Sequence, residues 1–266
     1  MSTAGLRPLA RRPVTAAAAL LAVAFISVPL VSLVTRAPWS ELPGQLTSAA
    51  ATEAIRLSML TSFTAAGLAC ALGLPLAWCL GRLEFPGRAL VRALVLLPMV
   101  LPPVVGGVAL LGAFARSAPI GSWLHDTFGI QLTFSPAGVV LAQTFVALPF
   151  FVITVEAALR SMDRRLEEAA ATLGARPAQV FTRVTVPTIL PSILAGAVLA
   201  WARALGEFGA TITFAGNIAG RTRTLPLAVY LELESRPEVA VSLSIVLLAV
   251  SLLVIVSLRE RWLGGR

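Results

Sequence analysis

An all-α integral membrane protein is the fold class that this chain predicts, and three observations predict it. Of its 266 residues, 57% are hydrophobic and only 13% are charged, about half the ~25% charged share of an average soluble domain. The apolar residues gather into six runs, each near the roughly 20 residues that a helix needs to cross a bilayer. All 21 basic residues are Arg, and they crowd into alternate connections, as the positive-inside bias requires.

The six expected spans are Val14 to Val34, Leu57 to Leu80, Ala93 to Phe114, Ala137 to Leu159, Thr188 to Leu205 and Val239 to Leu258, within one transmembrane domain over 1–266. Arg7, Arg11 and Arg12 precede the first run, which is long for a signal sequence and has no small-x-small cleavage pattern. It is read as retained. The fifth is the weakest, because Arg203 lies near its end and Gly206, Glu207 and Gly209 follow. With the N-terminus inside, fourteen Arg fall in inner segments and seven elsewhere. Both termini are therefore expected in the cytoplasm, and so is the connection 160–187 between spans four and five. Trp78 and Trp262 then sit near the inner interface and Trp39 and Trp123 near the outer one.

Pro29, Pro75, Pro98, Pro102, Pro103, Pro149 and Pro191 interrupt the runs, and each removes a backbone donor. Such breaks suit either a static bundle closed by its neighbours or a moving pathway lined by water. Gly67, Gly73, Gly106, Gly107, Gly112 and Gly196 permit close helix contact.

Several chemistries are excluded. Without Lys there is no GxxxxGK[ST] phosphate loop, and neither HExxH nor GxSxG occurs. Cys70 and Cys79 are nine residues apart in one run and would point to nearly opposite helix faces. His125 has no ligand companions at metal spacing. No catalytic residue, metal set or cofactor bound by this chain is expected. The Arg excess is explained by topology without nucleic acid.

The connection "RRLEEAAATLGARPAQVFTRVTVP", Arg164 to Pro187, is amphipathic in an otherwise apolar chain. Asp163 is a fitting N-cap for a short helix from Arg164 to Leu173, with Leu166, Ala170 and Leu173 on one face. Gly174 suits the left-handed position after it, and Pro177 the start of a second short helix. Periodicity alone allows a helix resting on lipid headgroups.

Glu168-Ala169-Ala170, three residues, Gly174, nine residues, then Val184-x-Val186-Pro187 resembles the EAA loop of ABC importer permeases, with Val in place of Ile and Leu. The resemblance implies that Glu168, Ala169, Ala170, Gly174 and Pro187 couple the chain to an ATPase. It also implies a second copy of the chain, two ABC ATPase subunits holding ATP and Mg, an external substrate-binding protein, and a bacterial inner-membrane location. "LPPVVGG", Leu101 to Gly107, and "ALGEFGATITFAGNIAGRTRTLPLAVYLELE", Ala204 to Glu234, are similar to molybdate-transport permeases and less closely to sulfate/thiosulfate permeases. The implied cargo is molybdate or tungstate, with sulfate or thiosulfate as the alternative. A membrane scaffold without transport is the remote alternative.

Arg203 and Glu207 stand one turn apart and are expected to pair, either as a staple near the headgroups or, with Thr211, Thr213 and Asn217, as part of an outer pathway or gate. Arg221 and Arg223 fall on the expected outer side. They are solvated loop charges or contacts for an anion or an acidic binding protein.

Overall fold

The computed structural model describes residues 13 to 263, with side chains placed over 14–254 and at 256. Arg7, Arg11, Arg12 and Arg266, and the side chains of Arg259, Arg261 and Trp262, lie outside the described residues. Thirteen helices follow in order: α1 (Pro13–Thr35), α2 (Leu42–Leu46), α3 (Ala49–Arg82), α4 (Arg88–Val100), α5 (Pro103–Phe114), α6 (Pro119–Phe128), α7 (Pro136–Ser161), α8 (Arg165–Thr172), α9 (Pro177–Val180), α10 (Val186–Leu205), α11 (Gly209–Ala215), α12 (Leu225–Ser235) and α13 (Pro237–Leu263). No strand occurs among the described residues. Five helical stretches are long and apolar enough to cross a membrane, and six if the bent pair α4–α5 counts as one crossing.

That bent pair corrects the third expected span. Ala93 to Phe114 is not one helix, because α4 and α5 are bent by 119° at the break between them. Pro102 and Pro103 have no N–H to continue the ladder. The last bond of α4 is therefore Leu101 N–H to the Leu97 carbonyl. The fifth crossing is corrected in the other direction. From Pro177 the chain runs helically to Leu205, so the second short helix is the first turn of that crossing and not a separate element. A π turn over Phe181–Thr185 joins the two, with Val186 N–H donating to the Phe181 carbonyl. The wider turn ends just before Pro187, which cannot donate and sits in the first turn of α10.

The bundle is organised around α7, which packs against both α3 and α10. On α3, every fourth residue from 65 to 81 is small: Ala65, Ala69, Gly73, Ala77 and Gly81, all buried. Residues four apart share a helix face, so this spacing makes a smooth strip along which another backbone can lie close. Phe151 of α7 fills the joint. A Cβ on Gly73 would fall 2.6 Å from its Cδ1, and one on Gly196 of α10 would fall 3.2 Å from its Cδ2. Leu80, Val152, Val155, Leu159 and Ile189 complete the apolar core around it. Trp201 of α10 stacks on Phe63 at 4.8 Å between ring centroids and donates its indole N–H to Ser62 Oγ at 3.0 Å. The polar end of a buried aromatic is thereby satisfied inside the bundle.

A second packed unit, α5 with α11, lies beside α7. A Cβ on Gly107 would sit 2.6 Å from Thr213 Cβ, and one on Gly209 would sit 2.7 Å from Pro103 Cβ. Replacing Gly107 with Val should therefore overpack this joint and destabilise the protein by about 1–3 kcal/mol. The thermal unfolding midpoint in detergent should fall, and an unchanged midpoint would show that α5 and α11 are not held this closely.

Candidate functional site

Between α7 and α10 the chain leaves the apolar bundle, and local chemistry shapes the excursion. Asp163 Oδ1 accepts the Arg165 N–H at 3.0 Å, but α8 runs Arg165–Thr172 with Arg164 at the N-cap position, one residue later than the expected Asp163 cap and within the expected bounds Arg164 to Leu173. Glu167 and Glu168 occupy its first turn, where carboxylates oppose the helix dipole favourably. The end of α8 is a full Schellman turn: Ala175 N–H reaches the Ala170 carbonyl at 3.1 Å, and Gly174 N–H reaches Ala171 at 2.9 Å. Gly174 adopts φ +86°, a conformation that costs an L side chain about 1–2 kcal/mol. A Cβ there would meet nothing within 4 Å, so backbone handedness, not crowding by its own chain, requires the glycine. Arg176 N–H then donates to Gln179 Oε1 at 2.9 Å and sets the entry to α9.

Glu167 ties α8 back to the bundle. Its Oε2 lies 3.2 Å from Arg82 Nη2 at the end of α3. Its Oε1 accepts the Thr185 hydroxyl at 2.6 Å from the π turn before α10. Arg82 and Thr185 are both buried. Trp78 of α3 meets Phe181 edge-on, with centroids 6.2 Å apart. Together these enclose a cleft of about 430 Å³ lined in part by Trp78, Arg82, Arg164, Glu167, Glu168 and Phe181.

Much of α8 is nevertheless open. Glu168, Ala169 and Gly174 are exposed, Ala170 is half-buried, and Leu173 is 89% exposed. Of the expected apolar face, Leu166 and Leu173 are exposed and only Ala170 is partly covered by the described residues. Pro187 sits where the loop rejoins α10. A compact helix is therefore presented outward at a fixed angle with a small, apolar contact face. Such a surface is suited to insertion into a groove of another protein.

The other singled-out residues gather where α10 gives way to α11. Arg203 Nη2 and Glu207 Oε2 pair at 2.7 Å, and Glu207 is 1% exposed. Glu207 Oε1 also accepts the Ala210 N–H at 2.8 Å, so this carboxylate closes α10 and starts α11. Thr213 spends its hydroxyl on the Gly209 carbonyl at 2.8 Å. Thr211 is fully buried, and its hydroxyl has no hydrogen-bond partner among the described residues. Asn217 Oδ1 accepts from Arg223 Nε at 2.9 Å, and Arg221 is exposed. The geometry thus joins Arg203 with Glu207 and Asn217 with Arg223, and it leaves Arg221 outside both pairs.

Sequence reasoning missed Glu167 and Arg82. The signal was present in Arg82, which ends the buried small-residue strip of α3 and so requires an acidic partner. It also passed over Glu156, a carboxylate inside the fourth run and one turn from Arg160.

The chain is similar to known proteins in sequence and in fold. A family model described as "Binding-protein-dependent transport system inner membrane component" matches residues 73–265. The chain is 47% identical over 245 residues to the molybdenum transport system permease protein ModB of Mycobacterium tuberculosis, covering 91% of this chain and 92% of that protein. It is 37% identical over 230 residues to the sulfate transport system permease protein CysT of Escherichia coli, covering 86% and 83%. A crystal structure of a bacterial alginate ABC transporter, in complex with its alginate pentasaccharide-bound periplasmic protein, contains a chain of similar fold. The TM-score is 0.77 at 19% identity over 97% of each chain.

Removing the Glu167 anchor should loosen the loop. Glu167→Ala is expected to cost about 1.5–3 kcal/mol, the range for hydrogen bonds to a charged group, and to speed tryptic cleavage at Arg164 and Arg165. Glu167→Gln, which can still accept from Thr185, should fall between. Identical cleavage rates in all three proteins would remove Glu167 from this role.

Proposed function

We propose, from the fact that this chain belongs to the family of binding-protein-dependent transport system inner membrane components, that it is the permease subunit of an ATP-driven importer for a tetrahedral oxyanion. The cargo is molybdate or tungstate, supported by the likeness to ModB. Sulfate or thiosulfate is the alternative that the CysT likeness favours less. The chain works as a pair with a second copy, two ABC ATPase subunits and an external binding protein, in a bacterial inner membrane with both termini cytoplasmic. ATP and Mg belong to the ATPase, and this chain contributes neither a catalytic residue nor a metal ligand.

The observation that carries the reading is the outward-facing α8, apolar at its tip and anchored at its root. Glu168, Ala169, Ala170 and Gly174 form the face that enters the ATPase, with small side chains that allow close approach. When ATP closes the ATPase pair, α8 is carried with it. Glu167 passes the displacement to α3 through Arg82 and to α10 through Thr185, while Pro187 marks the pivot between loop and crossing. The bundle then opens outward, receives the anion from the binding protein, and returns after hydrolysis. On the outer side Thr211 is buried with an uncommitted hydroxyl, which opening of the pathway would expose to the anion, in keeping with weak, releasable binding. Arg203, Glu207, Thr213 and Asn217 hold the shape of that region, and Arg221 with Arg223 faces the binding protein or its cargo.

Uptake of labelled molybdate by the reconstituted complex tests the reading. Leu173→Asp and Gly174→Trp should each lower uptake by on the order of tenfold, the effect of losing a central interface contact, while the protein remains folded in the membrane. Normal uptake in both would sink the coupling role of α8. Excess sulfate should leave wild-type uptake intact, and strong competition would transfer the assignment to the sulfate class. Thr211→Val should slow uptake without altering ATPase coupling, and an unchanged rate would remove Thr211 from the pathway.

A further inference from the structure

At the same end of the bundle as α8, but on its flank, α4 and α7 enclose three charges that the coupling scheme does not use. Arg92 of α4 donates from Nη2 to Glu156 Oε1 and from Nε to Oε2 at 3.4 Å. Arg160, one turn beyond Glu156 on α7, places Nη1 3.7 Å from the same Oε1. The side chain of Glu156 is 8% exposed, against 31% for Arg92 and 57% for Arg160. One buried carboxylate therefore holds two guanidinium groups at the rim of an open groove of about 410 Å³, whose other walls are Leu96, Ile153 and Ala157.

The charges do not balance. Two cations face one anion, and each guanidinium carries five N–H donors while a carboxylate has about four acceptor sites. A pair built only to staple α4 to α7 needs one Arg, not two. The remaining donors suit a tetrahedral oxyanion, for which guanidinium geometry is well matched. The walls narrow the class further. Leu96, Ile153 and Ala157 are apolar, the last two exposed, which is unfavourable for a hydrated free anion and favourable for hydrocarbon. An amphiphile with a phosphate head and acyl tails satisfies both halves of the groove.

We propose that the groove between α4 and α7 binds an anionic phospholipid, its phosphate on Arg92 and Arg160 and its chains along Leu96 and Ile153. Glu156 is the positioning residue that aims both guanidiniums into one place. Long basic side chains near the end of a crossing commonly reach the headgroup layer. Here a fixed carboxylate turns that general tendency into a specific site. The inference does not depend on which anion is transported.

Native mass spectrometry of the purified full-length chain, titrated with phosphatidylglycerol or phosphatidylcholine, reads the site directly. Phosphatidylglycerol should be retained about five-fold better, the factor that one basic residue contributes at an anionic surface. Arg160→Gln, at an exposed position, and Ile153→Asp, which sets a carboxylate in the groove, should each abolish that preference. An unchanged preference in both variants overturns the proposal. So does displacement of the lipid by millimolar molybdate, which would make this a site for the free oxyanion. Conversion of a dimer to monomers by both variants, with lipid retention unaffected, would overturn it too and assign the groove to a second copy.

Discussion

The closeness of α3, α7 and α10 is the constraint on which the rest of this molecule depends. Inside a bilayer there is no water to expel, so helices hold together by contact and by the few polar bonds they can form. The strip of Ala65, Ala69, Gly73, Ala77 and Gly81 lets α7 approach α3, and Phe151 fits between Gly73 and Gly196. A joint made of one large side chain and two missing ones is stiff, because packed interiors tolerate little change in volume. Stiffness at the centre is what gives meaning to movement at the ends. Under the proposed coupling, a displacement at α8 would reach α3 and α10 as a shift of whole helices, since there is little slack in the core to absorb it.

Charge is used sparingly and always at a transition. Glu167 marks the passage from α8 to the bundle, Glu207 the passage from α10 to α11, and Glu156 the flank between α4 and α7. Each of these carboxylates takes an Arg, and two of the three also accept a hydroxyl or backbone N–H from another turn. Lone charges at such positions would be costly, whereas paired and hydrogen-bonded ones define orientation. The resulting multi-pass protein has an apolar body and a small number of ionic fixtures that decide which elements move together.

Much of this was legible in the residues. Apolar runs marked the crossings because the length of a bilayer is a hard requirement. Gly174 marked the end of α8, and Asp163 its start to within one residue, because their roles are local. Arg203 and Glu207 met because four residues make one turn. What was not legible depended on bonds between distant segments. Nothing near Glu167 names Arg82, 85 residues away. The third run looked continuous because hydropathy does not register that Pro102 and Pro103 together end a hydrogen-bond ladder. The second short helix merged with the fifth crossing because a π turn, which has no simple sequence signature, carried the helix from Val180 to the start of α10.

Gly174 shows how two demands can share one residue. Its φ of +86° is a demand about handedness, and the empty space around the site of a Cβ leaves any demand about bulk to whatever docks there. L-alanine violates both at once and cannot tell them apart. D-alanine, whose mirror-image preferences make positive φ ordinary, would keep the turn and add only the methyl. At this position chirality is a tool for separating the architecture of the loop from its conversation with a partner.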